Sequence, residues 1–272
     1  MKLAVSSIAW NKEEETAAAE LLSSLGVKYV EVAPTKVWDE PVLVTDGEIE
    51  AYRQWWLGYG IEIVAFQSML FPHPEYKLFE DKATRETTIK YLQDFTVLAG
   101  KIGAKRLVFG SPKNRQKGDM PTEEAIRVAV DVFGRIGDTA KEAGVIFCIE
   151  PNAPQYNCDF VTTAKDGIEI VDAVNNEGFG LHLDAACMTL AGDNLSDSIK
   201  AAGERIKHFH ISSPMLESVN EEAGIAHIEA AAALKEINYQ GYVSIEMKPS
   251  SEESNIDRLK TAVLYAQSVY TD

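Results

Sequence analysis

The feature of this chain that most constrains its fold is a recurring punctuation. A helix-period segment ends at a glycine, and a short apolar run follows at once, at Gly26-Val27, Gly60-Ile61, Gly103-Ala104, Gly144-Val145 and Gly241-Tyr242. Glycine suits the left-handed residue that closes a helix, and the runs after it are short enough to be strands. The repeating unit is therefore helix, cap, strand. Segment 122–143 displays the helical half: Ile126, Ala129, Val130, Phe133, Ile136 and Ala140 share one face, Pro121 stands at the entrance, and Glu123 and Glu124 suit the N-terminal end.

Candidate strands lie at 2–9, 27–33, 61–67, 104–110, 145–150, 179–184, 206–212 and 242–247. Helical patterns lie at 13–25, 46–58, 84–102, 122–143, 163–175, 195–203, 222–237 and 252–269. Strict alternation of eight such units predicts an α/β protein, a (β/α)8 TIM barrel, as a single domain over 1–272. Runs such as Val145-Ile146-Phe147-Cys148-Ile149 are apolar on both faces, as parallel strands covered by helices must be. A doubly wound open sheet is the alternative. It is weakened by the lack of a GxGxxG turn or a GxxxxGK[ST] loop.

Charge narrows the partners. With 42 Asp+Glu against 26 Lys+Arg the chain carries a formal net charge of −16, which repels phosphate backbones and anionic lipid, so neither nucleic acid nor membrane is expected. The opening apolar stretch is broken by Ser6, Ser7 and Asn11 before Glu13-Glu14-Glu15, so no targeting segment is expected. Cys148, Cys158 and Cys187 form no CxxC pair, which argues against a disulfide framework or a thiolate zinc site and for a reducing, cytoplasmic setting.

In a barrel of this kind the chemistry sits at the C-terminal ends of the strands. Four late strands end in polar residues: Glu150 in strand five, Asp184 in six, His210 in seven and Glu246 in eight. Period-two geometry puts each on one face of its strand, flanked by apolar neighbours, and pointing inward they converge. Three carboxylates and an imidazole crowded together call for a positive charge among them. This donor set suits Mn2+, Mg2+ or Co2+ better than a structural zinc site. The competing interpretation is four unrelated strand-end residues held by helix N-termini and arginines.

The series Ile149-Glu150-Pro151-Asn152, Leu181-His182-Leu183-Asp184-Ala185-Ala186-Cys187-Met188, His208-Phe209-His210-Ile211-Ser212-Ser213 and Ser244-Ile245-Glu246-Met247-Lys248-Pro249 resembles the xylose-isomerase-like TIM-barrel sugar phosphate isomerase/epimerase superfamily. It is most similar to the ketose 3-epimerase branch. The resemblance spans nearly the whole chain, with its specific motifs in the second half. It implies that Glu150, Asp184, His210 and Glu246 bind one divalent metal, Mn2+ first, with Mg2+, Co2+ or Zn2+ as alternatives. It also implies that Glu150 and Glu246 are the catalytic acid/base pair. The implied substrate is a small sugar or polyol, enolised next to its carbonyl, and the implied assembly is a homodimer or homotetramer.

Two positions depart from the family pattern. Cys187 stands where an LDxxH motif would carry its histidine, and Leu216 where the family has an arginine, both at substrate-contacting positions. Candidate substrate contacts in this chain are Cys187, Lys248 at the mouth beyond Glu246, Lys113 beside Arg115 in the loop after strand four, Glu31 at the end of strand two, and His73 with Trp38 nearby. Solvated surface lysines are the alternative for Lys248 and Lys113. His182 and His208 lie deeper on the same face as Asp184 and His210, and core histidines are expected there. An inosose-dehydratase-like lyase and a non-catalytic sugar-binding barrel remain as functional alternatives. An apurinic-site endonuclease, needing many histidines, fits poorly with the five present.

Overall fold

The computed structural model describes residues 1–271. Its strands β1 (Lys2–Ser6), β2 (Tyr29–Val32), β3 (Glu62–Phe66), β4 (Arg106–Phe109), β5 (Ile146–Ile149), β6 (Phe179–Asp184), β7 (Ile206–Ser212) and β8 (Tyr242–Glu246) pair in sequence order. All the pairings are parallel, and β1 also pairs with β8 from Lys2↔Tyr242 to Val5↔Ile245, so the ring closes and the open-sheet alternative falls. The helices are α1 (Glu15–Ser24), α2 (Pro34–Val37), α3 (Asp46–Gly58), α4 (Lys82–Ile102), α5 (Thr122–Ala143), α6 (Ala164–Val174), α7 (Ala185–Ala191), α8 (Leu195–Ala202), α9 (His227–Glu236) and α10 (Asn255–Tyr270). Eight correspond to the patterns read from the sequence, and α2 and α7 are short additions beyond strand ends.

The glycine punctuation holds at four of five places. Gly26, Gly60, Gly103 and Gly144 have φ of +74°, +72°, +97° and +71°, the left-handed region that terminates α1, α3, α4 and α5. The fifth differs: after α9 the left-handed residue is Asn238, with φ +56°, and Gly241 is not in that region. Gly241 is needed for space, since a Cβ there would lie 2.3 Å from the Tyr239 hydroxyl and 2.4 Å from its ring. Helix starts are set by side chains. Thr45 and Glu48 cap α3 reciprocally, Thr163 and Asp166 do the same for α6, and Asp81 accepts from two backbone N–H groups of α4.

The two faces of the strands divide the core. Phe109 and Phe147 face outward onto Phe133 of α5, which also stacks on Phe179 at 5.0 Å. The alternate residues, Cys148, Glu150, His182, Asp184, His208 and His210, therefore face the barrel axis. The ladder slips twice, between Val30 and Glu31 in β2 and between Leu181 and His182 in β6. Both irregularities sit at residues of the polar interior described next. Among the described residues, no helix is long and apolar enough to cross a membrane.

Candidate active site

Glu150 follows β5 directly, its N–H donating to Phe109 O at 3.1 Å, so the ladder carries it to the barrel mouth. Asp184 ends β6 and begins α7, where its Oδ1 accepts the Cys187 N–H at 2.6 Å. Its other oxygen, Oδ2, is buried without a hydrogen-bond partner and lies 3.8 Å from His210 Nδ1. That same nitrogen is 3.3 Å from Glu246 Oε2. Donor atoms of Glu150, His182, Asp184 and His210 all lie within 4.8 Å of one another. The structure thus brings together all four residues expected from the strand ends and adds His182, both of whose ring nitrogens lack partners.

These groups cannot all be charged and stable together without help. Burial, then repulsion from Glu246 and Asp184, pushes Glu150 up to about 8. Burial and Glu246 likewise raise Asp184. Burial alone would lower His210, but Glu31 and Glu246 outweigh it and hold its pKa well above the usual histidine value. Mutually repelling carboxylates, an unpartnered carboxylate oxygen and an unpartnered imidazole nitrogen aimed at one spot form a donor set that fits a divalent cation.

Above this floor opens a cavity of about 500 Å³. Glu150, Asp184, Glu246, Cys187, Leu216 and Lys113 line it, so Cys187 and Lys113, two residues expected at the substrate, face this cavity. Cys187 donates weakly to Glu150 Oε1 at 3.8 Å and accepts from Asn152 Nδ2 at 3.6 Å. Burial pushes its thiol pKa well up, so it stays a neutral thiol.

Three other residues expected at the substrate are placed elsewhere. Lys248 does not line the cavity; its side chain, half-exposed, pairs with Glu217 Oε1 at 2.6 Å at the rim. His73 is turned away, bonded to Glu75 at 2.9 Å and packed against Tyr76 and Tyr91, and Trp38 sits edge-on to Tyr52 outside the cavity. Glu31 is fully buried beneath the site, reaching His210 rather than solvent.

Several residues were missed. Asn152 and Tyr156 line the cavity, and so does Gln67, the residue after β3. Gln67 follows the apolar run Ile63-Val64-Ala65-Phe66 much as Glu150 follows its own, and that signal was available. Tyr156 Oη accepts the Met215 N–H at 2.9 Å, pinning a loop in which Met215 and Leu216 both take left-handed φ near +60°. Arg115 points inward, fully buried. Its guanidinium donates to the carbonyls of Gly110, Glu150, Phe160 and Val161 and to Asn152 Oδ1, at 2.5–3.2 Å. It thereby ties β4, β5 and the loop after β5 into one support for Glu150. Gly110 completes that support, since a Cβ there would lie 2.4 Å from Glu150 Oε2.

With this geometry in hand, the chain can be set beside known proteins. The profile of a family described as xylose isomerase-like TIM barrel matches residues 19–266. An L-ribulose 3-epimerase of Methylomonas sp. (strain DH-1) is 25% identical over 225 residues, covering 81% of this chain and 74% of that protein. An inosose isomerase of Bacillus subtilis (strain 168) is 30% identical over 179 residues, covering 60% of this chain and 63% of that protein, a little under two thirds of its length. Among solved structures, the D-psicose 3-epimerase with D-tagatose from Clostridium cellulolyticum H10 superposes with a TM-score of 0.84 at 19% identity, covering 100% of both chains.

Proposed function

Because this chain belongs to the xylose isomerase-like TIM barrel family, we propose that it is a metal-dependent sugar epimerase or isomerase, abstracting a proton next to a carbonyl through an enediolate. One observation carries the proposal: Glu150 and Glu246 end β5 and β8 on either side of Asp184 and His210, in the floor of a cavity large enough for a small sugar. The names of the relatives, ketose epimerases and an inosose isomerase, support it.

Glu150, Asp184, His210 and Glu246 would hold the metal, Mn2+ on donor chemistry, with Mg2+, Co2+ or Zn2+ able to substitute. When bound, it supplies Lewis acidity and neutralises charge on the carbonyl and adjacent hydroxyl oxygens. Glu150 and Glu246 remove and return the proton. Asn152, Cys187 and Lys113 offer donors to substrate hydroxyls, and Leu216 presents an apolar surface. Three buried cysteines without disulfides support a reducing, cytoplasmic setting.

The test is exchange of a ketose α-proton with deuterated solvent in the metal-loaded protein. Glu150→Gln and Glu246→Gln should each slow exchange by about 100-fold or more while sugar binding changes far less, the usual scale for losing a general base. A wild-type protein that binds metal and ketoses but exchanges nothing would overturn the proposal and leave a sugar-binding barrel. A second substrate class, cyclic polyol ketones, is favoured by the match to an inosose isomerase. Turnover of such a ketone to a product lighter by one water would identify lyase chemistry.

A further inference from the structure

Glu31 is the buried charge that the proposed reaction leaves unused. It sits on β2 with no exposure and is not among the residues that line the cavity. Its Oε2 is 2.9 Å from His210 Nε2, and its Oε1 is 3.3 Å from His208 Nε2. The two histidines belong to β7, which is not adjacent to β2, so the contact crosses the barrel interior. The ladder slip between Val30 and Glu31 occurs at this residue, and such irregularities re-aim side chains.

An ionised carboxylate only accepts hydrogen bonds, so the bond between Glu31 and His210 requires the proton on Nε2. A neutral imidazole then has its lone pair on Nδ1. That nitrogen is buried without a partner, 3.3 Å from Glu246 Oε2 and 3.8 Å from Asp184 Oδ2, both of which offer lone pairs as well. When Nδ1 carries no proton, these three lone-pair donors face one point and repel one another unless a cation lies among them. Holding the ring in this one tautomer and orientation therefore turns it from a hydrogen-bonding neighbour into a ligand. Metal-binding histidines are generally oriented in this way by a carboxylate on the opposite nitrogen.

We propose that Glu31 is a positioning residue for the metal centre: it accepts the His210 Nε2–H from below, with His208 on its other oxygen, and so fixes Nδ1 as the metal-directed atom. The proposal rests on the interpretation of Asp184, His210 and their neighbours as a metal site. It replaces the expectation that Glu31 touches substrate.

Co2+ is the probe, because its visible spectrum reports ligand identity and geometry independently of turnover. Glu31→Gln should lower Co2+ affinity by about 10- to 100-fold, the range typical of lost carboxylate–histidine partners, and should alter the Co2+ spectrum. Glu31→Asp, which keeps the charge but shortens its reach, should fall between. Affinity within twofold of wild type and an unchanged spectrum in Glu31→Gln would overturn the proposal. If that variant does not fold, the wild-type protein still decides. In its Zn2+-loaded form, 15N correlation spectra of His210 should show a protonated Nε2 and a metal-bound Nδ1, and the opposite assignment overturns the proposal. A wild-type protein that takes up no Co2+ defeats the metal-site interpretation and this inference together. Uptake that Asp184→Asn abolishes and Glu31→Gln leaves untouched defeats this inference alone.

Discussion

The two halves of the barrel mouth build the site in different ways. From β5 to β8 every strand delivers a charged or imidazole group to the floor: Glu150, Asp184 with His182 beside it, His210 and Glu246. From β1 to β4 no strand end delivers such a group to the cavity. That half contributes Glu31 from beneath, Gln67 to the wall, and the support of Gly110 and Arg115 behind Glu150. The late half supplies reactive groups and the early half fixes where they point. Chemistry and support are thus separable, and substitutions on the two sides should fail in different ways.

The largest effect belongs to the late half. Asp184→Asn removes a carboxylate charge from the floor while leaving an amide that can still cap α7, since Asn serves at this position as well as Asp. Metal retained after dialysis should fall by more than about 100-fold, because a direct ligand should cost more than the 10- to 100-fold of its outer partners. The melting temperature of the metal-free protein should hold or rise, as a repelling charge has gone. Elemental analysis and thermal unfolding on the same preparation check both halves of this expectation. Metal retained at wild-type levels would break the assignment of chemistry to β6.

Arg115→Met should do the reverse. It strands buried carbonyls of Gly110, Glu150, Phe160 and Val161 together with Asn152 Oδ1, and each buried acceptor left unpaired costs roughly 1–3 kcal/mol. A total loss of about 5 kcal/mol or more in unfolding free energy is expected, with Arg115→Lys recovering part of it, since an ammonium lacks the fork geometry. At temperatures where the variant is folded, metal should still bind within about tenfold of wild type. Unfolding by denaturant and metal titration measure the two quantities, and a variant as stable as wild type would remove Arg115 from the support.

The same division explains what could be read from the sequence. The late half was legible because a polar residue at the end of an apolar run is a local pattern, and period two fixes which face it takes. Eight helices were legible from their spacing, and four of them also from their glycine caps. Glu31 was identified as a strand-end residue, but its depth depends on a ladder slip and on contact across the closed barrel, neither of which is local. Arg115 read as one of two loop cations beside Lys113. Only the folded loop reveals that backbone carbonyls distant in sequence converge on it. Helix α7 was missed because Asp184 both ends a strand and caps a helix, and its first turn is too short to show a period. At Gly241 the glycine signal was real but its cause was different: room for Tyr239, with Asn238 making the turn.

Gly110→Ala tests the support at closer range and with a smaller expected effect. The added Cβ would sit 2.4 Å from Glu150 Oε2 and 3.2 Å from Asn152 Oδ1, both ends of side chains rather than backbone. The chain should therefore fold, with the Glu150 carboxylate displaced. Exchange of the substrate α-proton should slow by about tenfold, as a misplaced base loses part but not all of its effect. An unchanged exchange rate would mean that Glu150 does not need the position seen here.

The smallest effect is expected at Cys187, the late-half residue that carries no charge. Its thiol is neutral, nearly buried, and touches Glu150 and Asn152 at 3.8 and 3.6 Å, distances ordinary for weak sulfur hydrogen bonds. Serine keeps one donor and one acceptor in similar volume, so Cys187→Ser should change exchange and ketose preference by no more than about threefold, under 1 kcal/mol. Cys187→His is the sharper variant. An imidazole is too large for the space the thiol occupies and must extend into the cavity, where it offers hydroxyls a hydrogen bond that sulfur makes poorly. Activity should then shift among ketoses and cyclic polyol ketones, while metal content and melting temperature stay near wild type. If Cys187→His folds, loads metal and keeps the wild-type order of preference, selection among substrates lies on the opposite wall, with Lys113 and Gln67. The early half would then choose the substrate as well as hold the base.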